Sequence, residues 1–351
     1  MFKPNFQRTD PLIEMIARIE VARDRILRAS IVPRWEAELR REAFVRRAHH
    51  STSIEGNPLT LEEVTDLLAG RDVLAHPRDR QEVLNYAEVL RHIDRHFLGQ
   101  ERSVVEDTIR HLHALVMKNI LSPTEAGQYR RVSVVVAVPA TGEVVYRPPD
   151  WDDVPGLMAD FAAWLSGPDA GALMPVLEAG VAHYELVRIH PFVDGNGRTA
   201  RALATLLLAQ RGFDTKRFFA LDEYYNQDRV SYYEALRSVD PRTQDMTEWL
   251  EYFVQGVAVE MVRVERRVQE LTDLYRIEAK AEQISLNSRQ IRLLDHLRQS
   301  GGSISNRVYQ ELFLVSKRTA SNDLRELAAD GLLTVEGAGS ATRYRLTESS
   351  T

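Results

Sequence analysis

Between Arg188 and Arg201 the chain reads RIHPFVDGNGRTAR. Pro191 excludes a helix through the run, and Gly195-Asn196-Gly197 marks a sharp turn just before an Ala- and Leu-rich helical pattern. The fold must therefore hold a polar loop where one helix ends and another begins. The first turn of a helix has unpaired N–H groups and a partial positive charge, and glycines let a ligand approach that backbone closely. Such a place is an anion site.

The side chains extend this reading. Arg198 and Arg201 are three apart and share one face of the first turn. Guanidinium forks suit phosphate oxygens, and two of them beside bare N–H groups imply more than one phosphate. Asp194 at the lip of the loop is a candidate Mg²⁺ carboxylate, and His190 is a candidate base for an attacking hydroxyl. Each residue alone has a commoner structural explanation, as a cap, a turn or a solvated charge. Together and in this spacing they point to attack of a hydroxyl on a nucleotide phosphate. No GK[ST] follows, so the run is not a Walker A motif.

The rest of the chain reads as mostly helical. Apolar residues recur at helical spacing from Asp10 to Leu68, broken at Gly56-Asn57-Pro58, and Thr60 with Glu63 forms a capping-box pattern. Further helices are expected over Asp79–His96, Val104–Ile120, Trp151–Leu165, Leu173–Arg188, Arg198–Gln210 and Thr247–Ile284. The one clear strand signal is Arg131–Arg147, two Val-rich runs flanking Pro139-Ala-Thr-Gly142, which predicts a hairpin.

From Asn287 onward three helical segments (Gln290–Arg298, Asn306–Leu312, Lys317–Ala329) precede two short strands around Ala338-Gly339-Ser340. That order predicts a winged helix-turn-helix with Lys317, Arg318, Thr319, Ser321 and Asn322 opening the recognition helix and Arg343 and Arg345 on the wing. Nine Lys/Arg stand against seven Asp/Glu from Asn287 on, a net +2 that leaves −8 for the remainder of a chain of net −6. DNA, through residues 306–345, and a protein surface are both candidate partners.

The 351 residues include no cysteine, which excludes disulfides and thiolate sites. The first residues lack a basic region followed by an apolar run, and no stretch approaches the roughly 18 apolar residues of a membrane span. A soluble cytoplasmic protein without membrane contact is the expectation.

The run matches HPFxxGNGRxxR at every defined position and so resembles the Fic family (filamentation induced by cAMP), over roughly Gly127–Leu236. The resemblance implies an all-α core with a β-hairpin flap, and transfer of AMP from ATP to a Ser, Thr or Tyr hydroxyl of a protein. It implies His190 as general base and Asp194 as the Mg²⁺ ligand. Asn196 with the backbone of Gly195 and Gly197 would hold the α-phosphate, and Arg198 and Arg201 the β- and γ-phosphates. Phe192 would anchor the loop, and the hairpin 131–147 would pair with a target protein.

Tyr232 and Tyr233 resemble an adenine-bordering pair, with Tyr225 and Asn226 as weaker candidates. Upstream, Ser51-Thr-Ser-Ile-Glu55-Gly56-Asn57 fits [ST]xxxE[GN] and resembles the family's inhibitory helix, whose Glu55 would pair with Arg201. The same Glu could instead support AMP removal. A Fic-type core used as a nucleotide sensor by a transcriptional regulator, and transfer of phosphate, UMP or phosphocholine, are the alternatives. The intact His190 and both arginines favour AMP transfer.

The expected organisation is an N-terminal helical region with the inhibitory helix (1–100), the Fic core (101–246), a linker helix (247–284) and the winged helix domain (285–351). A second copy of the chain is a further candidate partner.

Overall fold

The computed structural model describes the chain except residues 1, 30, 99–102, 138–143, 214, 285, 338, 340–341 and 348–351, and the side chains of 137, 274 and 276–284. It divides into two compact units, residues 1–268 and 269–351. Among the described residues no helix is long and apolar enough to cross a membrane.

The first unit is helical: α1 (Asp10–Arg28), α2 (Pro33–Ile54), α3 (Leu61–Leu68), α4 (Pro77–His96) and α5 (Glu106–Val116) precede the strands β1 (Val136–Ala137) and β2 (Val144–Tyr146). Then come α6 (Val154–Leu165), the short α7 (Pro168–Gly171), α8 (Pro175–Ile189), α9 (Asn196–Gln210), α10 (Leu221–Gln227), α11 (Arg229–Arg237) and α12 (Thr247–Ile284). The last of these continues past the boundary between the units.

At the centre α8 packs along α9, and α2, α4 and α5 pack on α9 as well. Val181, Leu186, Ile189, Leu203 and Leu206 are fully buried there. Helices apolar on most sides must be surrounded, and these two are.

The capping box at Thr60 and Glu63 forms in both directions. The long helical pattern from Asp10 breaks earlier than expected, because Pro33 starts α2 at its first turn. The helix expected to reach Ile120 stops at Val116, where the chain turns through Asn119 at φ 60°.

The Val-rich segment pairs over fewer residues than its composition suggests, Val136 with Tyr146 and Ala137 with Val144. Val132, Val135 and Val144 stay exposed, so little burial extends the ladder. The turn expected at 139–142 lies outside the described residues.

In the second unit α13 (Ser288–Ser300), β3 (Ser303–Ile304), α14 (Asn306–Phe313), α15 (Lys317–Ala329), β4 (Leu333–Glu336) and β5 (Arg343–Leu346) enclose a core of Leu293, Leu297, Ile304, Tyr309, Leu324 and Leu327. The sheet has three strands in the order β3-β5-β4 rather than the two expected, because the chain beyond Gly301-Gly302 pairs with β5. The wing turn expected around Ala338 and Ser340 falls outside the described residues.

Candidate functional site

The loop between α8 and α9 carries the signature run. His190 ends α8 in a left-handed conformation, φ 50° and ψ 56°, which a non-glycine residue adopts only when its surroundings enforce it. Those surroundings are explicit. Phe192 is fully buried and stacks on His113 at 3.7 Å with the rings 4° apart. The Phe192 N–H donates to Asn196 Oδ1, and Asn196 Nδ2 donates to the Phe192 carbonyl, both at 2.9 Å.

His113 Nδ1 accepts from the Gly127 N–H at 2.8 Å, so Nε2 carries the proton and donates to the Asp194 carbonyl at 2.9 Å. Arg130 completes the frame. Its Nε donates to the His190 carbonyl, its N–H to that of Pro191, and its Nη1 and Nη2 to those of Val132 and Pro149. One buried guanidinium thus ties the base of the hairpin to the loop. Tyr146 adds a hydrogen bond from its hydroxyl to the Arg188 carbonyl.

His190 Nδ1 lies 3.2 Å from the Val187 carbonyl. A carbonyl only accepts, so Nδ1 holds the proton and Nε2 is left as the basic nitrogen. Burial pushes the imidazole below its ordinary value of 6.5, so it is neutral at neutral pH. That is the protonation state a general base needs.

Gly195, at φ 78°, caps α9 and its Cα packs against Met117. Asp194 meets Arg78 Nη2 through Oδ2 at 2.9 Å, while its Oδ1 accepts from the Gly195 N–H at 2.6 Å. Arg198 and Arg201 are both 2% exposed. Arg201 donates from Nε to Ser51 Oγ and from Nη2 to the Ser51 carbonyl and Glu55 Oε1, each at 2.8 Å. Asp222 Oδ1 lies 3.4 Å from Nε. Burial alone would raise the Glu55 carboxyl, but Arg201 and then Arg198 outweigh it and hold the group below the usual carboxylate range.

The Glu55 carboxylate also lies against Gly197, where a methyl group would collide with Oε1. Glu55 therefore closes the cradle that the first turn of α9 offers an anion. It reaches there because α2 ends at Ile54 with Ser51, Thr52 and Ser53 buried, and Glu55 is its C-cap.

The structure thus brings His190, Asp194, Gly195, Gly197, Arg198, Arg201 and Glu55 together. The other candidates make contacts within the protein. The Asn196 side chain, expected on a phosphate, braces Phe192 with both ends of its amide, so only its backbone faces the cradle's turn. Tyr232 is 1% exposed, with its hydroxyl 2.9 Å from His183 Nε2 and its ring stacked on Tyr225 at 4.6 Å. Both tyrosines belong to the core behind Arg201. Tyr233 keeps its ring 40% exposed, with its hydroxyl 3.5 Å from the Ile54 carbonyl, and Asn226 is tied to His50 and Arg229.

Among the described residues no three His, Cys, Asp or Glu converge on one point. Asp194, at the lip with its side chain 40% exposed, is the carboxylate placed to hold a cation beside the anion cradle. That fits Mg²⁺, which takes one or two carboxylates, phosphate oxygens and waters, and it fits no protein-caged metal.

A buried two-helix centre, a loop locked by Phe192, and a helix N-terminus with two buried arginines closed by a glutamate together make a cradle suited to an anion. Residues 103–208 match the model of the Fic/DOC family. Protein adenylyltransferase Fic of Nematostella vectensis is 33% identical over 238 residues, 65% of this chain and 50% of that protein. Its counterpart in Drosophila willistoni is 34% identical over 216 residues, 60% of this chain and 42% of that protein. The chain thus spans half or less of the length of these relatives.

Among solved structures, a Fic family protein from Desulfovibrio desulfuricans is 26% identical with a TM-score of 0.65, covering 100% of both chains. Fic-1 (residues 134–508) from C. elegans is 27% identical with a TM-score of 0.59, covering 75% of this chain and 74% of that one.

Proposed function

We propose that the chain is a protein adenylyltransferase that moves AMP from ATP to a Ser, Thr or Tyr hydroxyl of a protein, itself included, and that Glu55 holds it inhibited. The observation that carries this reading is the Glu55–Arg201 pair lying over Gly197, inside a phosphate cradle that neutral His190 borders.

In the active form Glu55 leaves Arg201, and the N-terminal turn of α9 with Arg198 and Arg201 takes the triphosphate. Asp194 would hold Mg²⁺, which neutralises phosphate charge when bound. His190 Nε2 takes the proton of the attacking hydroxyl. The hydroxyl oxygen bonds to the α-phosphorus, the bond to the β-phosphate oxygen breaks, and diphosphate leaves. Tyr233, the exposed member of its pair, borders the adenine in this scheme.

Among the described residues β1 and β2 pair with no third strand, and Val132, Val135 and Val144 are exposed there. The hairpin would orient a target segment by strand addition. Incubation of the chain with α-labelled ATP and Mg²⁺, comparing wild type with Glu55→Gly, tests the reading.

For the second unit we infer a winged helix that contacts duplex DNA. Arg318, Asn322 and Arg325 are exposed at i, i+4 and i+7 on α15, and Arg343 and Arg345 are exposed on β5. A gel shift on mixed duplexes that weakens steeply with salt supports this, and no shift at low salt removes it.

A further inference from the structure

Arg198 raises a question that the Glu55 contact leaves open. Its guanidinium is 2% exposed, yet Nε and Nη1 have no hydrogen-bond partner. A buried cation in that state is held by charge rather than by fitted hydrogen bonds. Besides the electrostatic pull of Glu55, two carboxylates lie within 4 Å of the Arg198 guanidinium. Glu82 Oε1 lies 3.1 Å from Nη1 without hydrogen-bond alignment, and Asp194 Oδ1 lies 3.4 Å from Nη2.

Asp194 lies at the loop's lip with its side chain 40% exposed, whereas Glu82, on α4, is 7% exposed and itself held on both oxygens. Its Oε1 lies 3.2 Å from Arg78 Nε, and its Oε2 accepts from Asn57 Nδ2 at 3.1 Å. Asn57 is two residues beyond Glu55 and is 7% exposed. Its Nδ2 also donates to the Asp79 carbonyl at 2.9 Å, and its Oδ1 accepts from the Leu59 N–H at 3.2 Å.

We propose that Glu82 is a positioning residue for nucleotide binding. It holds the Arg198 guanidinium by charge in a pose whose Nε and Nη1 remain to be completed by phosphate oxygens. Through Asn57 it ties that pose to the segment carrying Glu55. The segment then touches both signature arginines, Arg201 directly through Glu55 and Arg198 through Asn57 and Glu82. A well-aligned pair would compete with phosphate, and no carboxylate at all would leave a buried charge uncompensated. A misaligned pair avoids both.

The inference rests on the nucleotide reading above, and its test separates the two. The Glu55→Gly chain is titrated calorimetrically with Mg²⁺ and ATP, alone and combined with Glu82→Gln, Arg198→Ala, or both. If Glu82 acts through Arg198, Glu82→Gln raises the Kd about tenfold when Arg198 is present, and less than about twofold when it is Ala. Asn57→Ala, which keeps both charges, shifts the Kd in the same direction with the same dependence on Arg198. It carries the test if Glu82→Gln loses its helical circular dichroism. Equal shifts in both backgrounds would overturn the inference and leave the nucleotide reading standing. No ATP binding by the Glu55→Gly chain itself would overturn both.

Discussion

The Glu55 carboxylate lies 2.8 Å from Arg201 Nη2 and against the Cα of Gly197, across a sequence separation of 146 residues. Ser51 and Asp222 also hold Arg201. Glu55 is the more exposed member of the pair, with its side chain 32% exposed against 2% for Arg201.

The loop lock predicts a role for Asn196 distinct from phosphate binding. Asn196→Ala leaves a buried N–H and a buried carbonyl of Phe192 unpaired, which costs about 1–3 kcal/mol per group. The urea midpoint of the first unit should fall, and transfer activity with it. An unchanged midpoint with lost activity would return Asn196 to the ligand.

Gly195→Ala is expected to destabilise the first unit. The residue sits at φ 78°, and its new methyl would lie 2.6 Å from Met117 Sδ. A left-handed conformation alone costs an alanine roughly 1 kcal/mol, and overpacking against Met117 adds about 1–3 kcal/mol. A denaturation midpoint equal to that of wild type would contradict the geometry.

Two histidines of the site contribute to the acid side, alongside His49, His50, His92 and His183, which burial also lowers. Burial is the main cause that lowers His113, to about 4, and His190 below its ordinary 6.5. Both are depressed on folding, so the neutral forms stabilise the fold. Their contribution is whole above about pH 6.5 and falls away as pH drops toward 4. Stability measured by urea should decline over that window, less steeply in His113→Gln. The acid limb of the transfer rate, read from His190, should have its midpoint below 6.5. A midpoint above 6.5 would assign the limb to another group.

Arg78 rests on the Asp194 carboxylate at 2.9 Å. Arg78→Ala should lower the Mg²⁺ concentration for half-maximal transfer in the Glu55→Gly background, because a competing cation is gone. A higher requirement would make Arg78 a phosphate ligand instead.

The parts of the site legible in the sequence are those whose chemistry sits within one short run. His190, Asp194, Arg198 and Arg201 are spaced along a single loop and turn, and Glu55 stands in a pattern of its own. The parts that were not legible are single residues on ordinary amphipathic helices or in plain loops. His113 reaches the Asp194 carbonyl across 81 residues, Arg78 reaches its carboxylate across 116, and Arg130 reaches the His190 carbonyl across 60. Nothing in their local spacing separates them from solvated neighbours. Asn196 and Tyr232 make contacts within the scaffold. A polar or aromatic residue beside a site can serve the ligand or the scaffold, and only the neighbouring backbone and rings decide which. The extra strand β3 has the same origin, since two residues pair only because β5 comes to them.

The central claim is that one glutamate holds back an otherwise assembled adenylyl-transfer site. Incubation with Mg²⁺ and α-labelled ATP, followed by gel autoradiography, tests it on wild type, Glu55→Gly and Glu55→Gly/His190→Ala. Loss of one charge-assisted contact corresponds to about 10- to 100-fold. Label on Glu55→Gly should exceed wild type by that factor and vanish in the double variant. Equal label on all three would contradict the roles assigned to both residues.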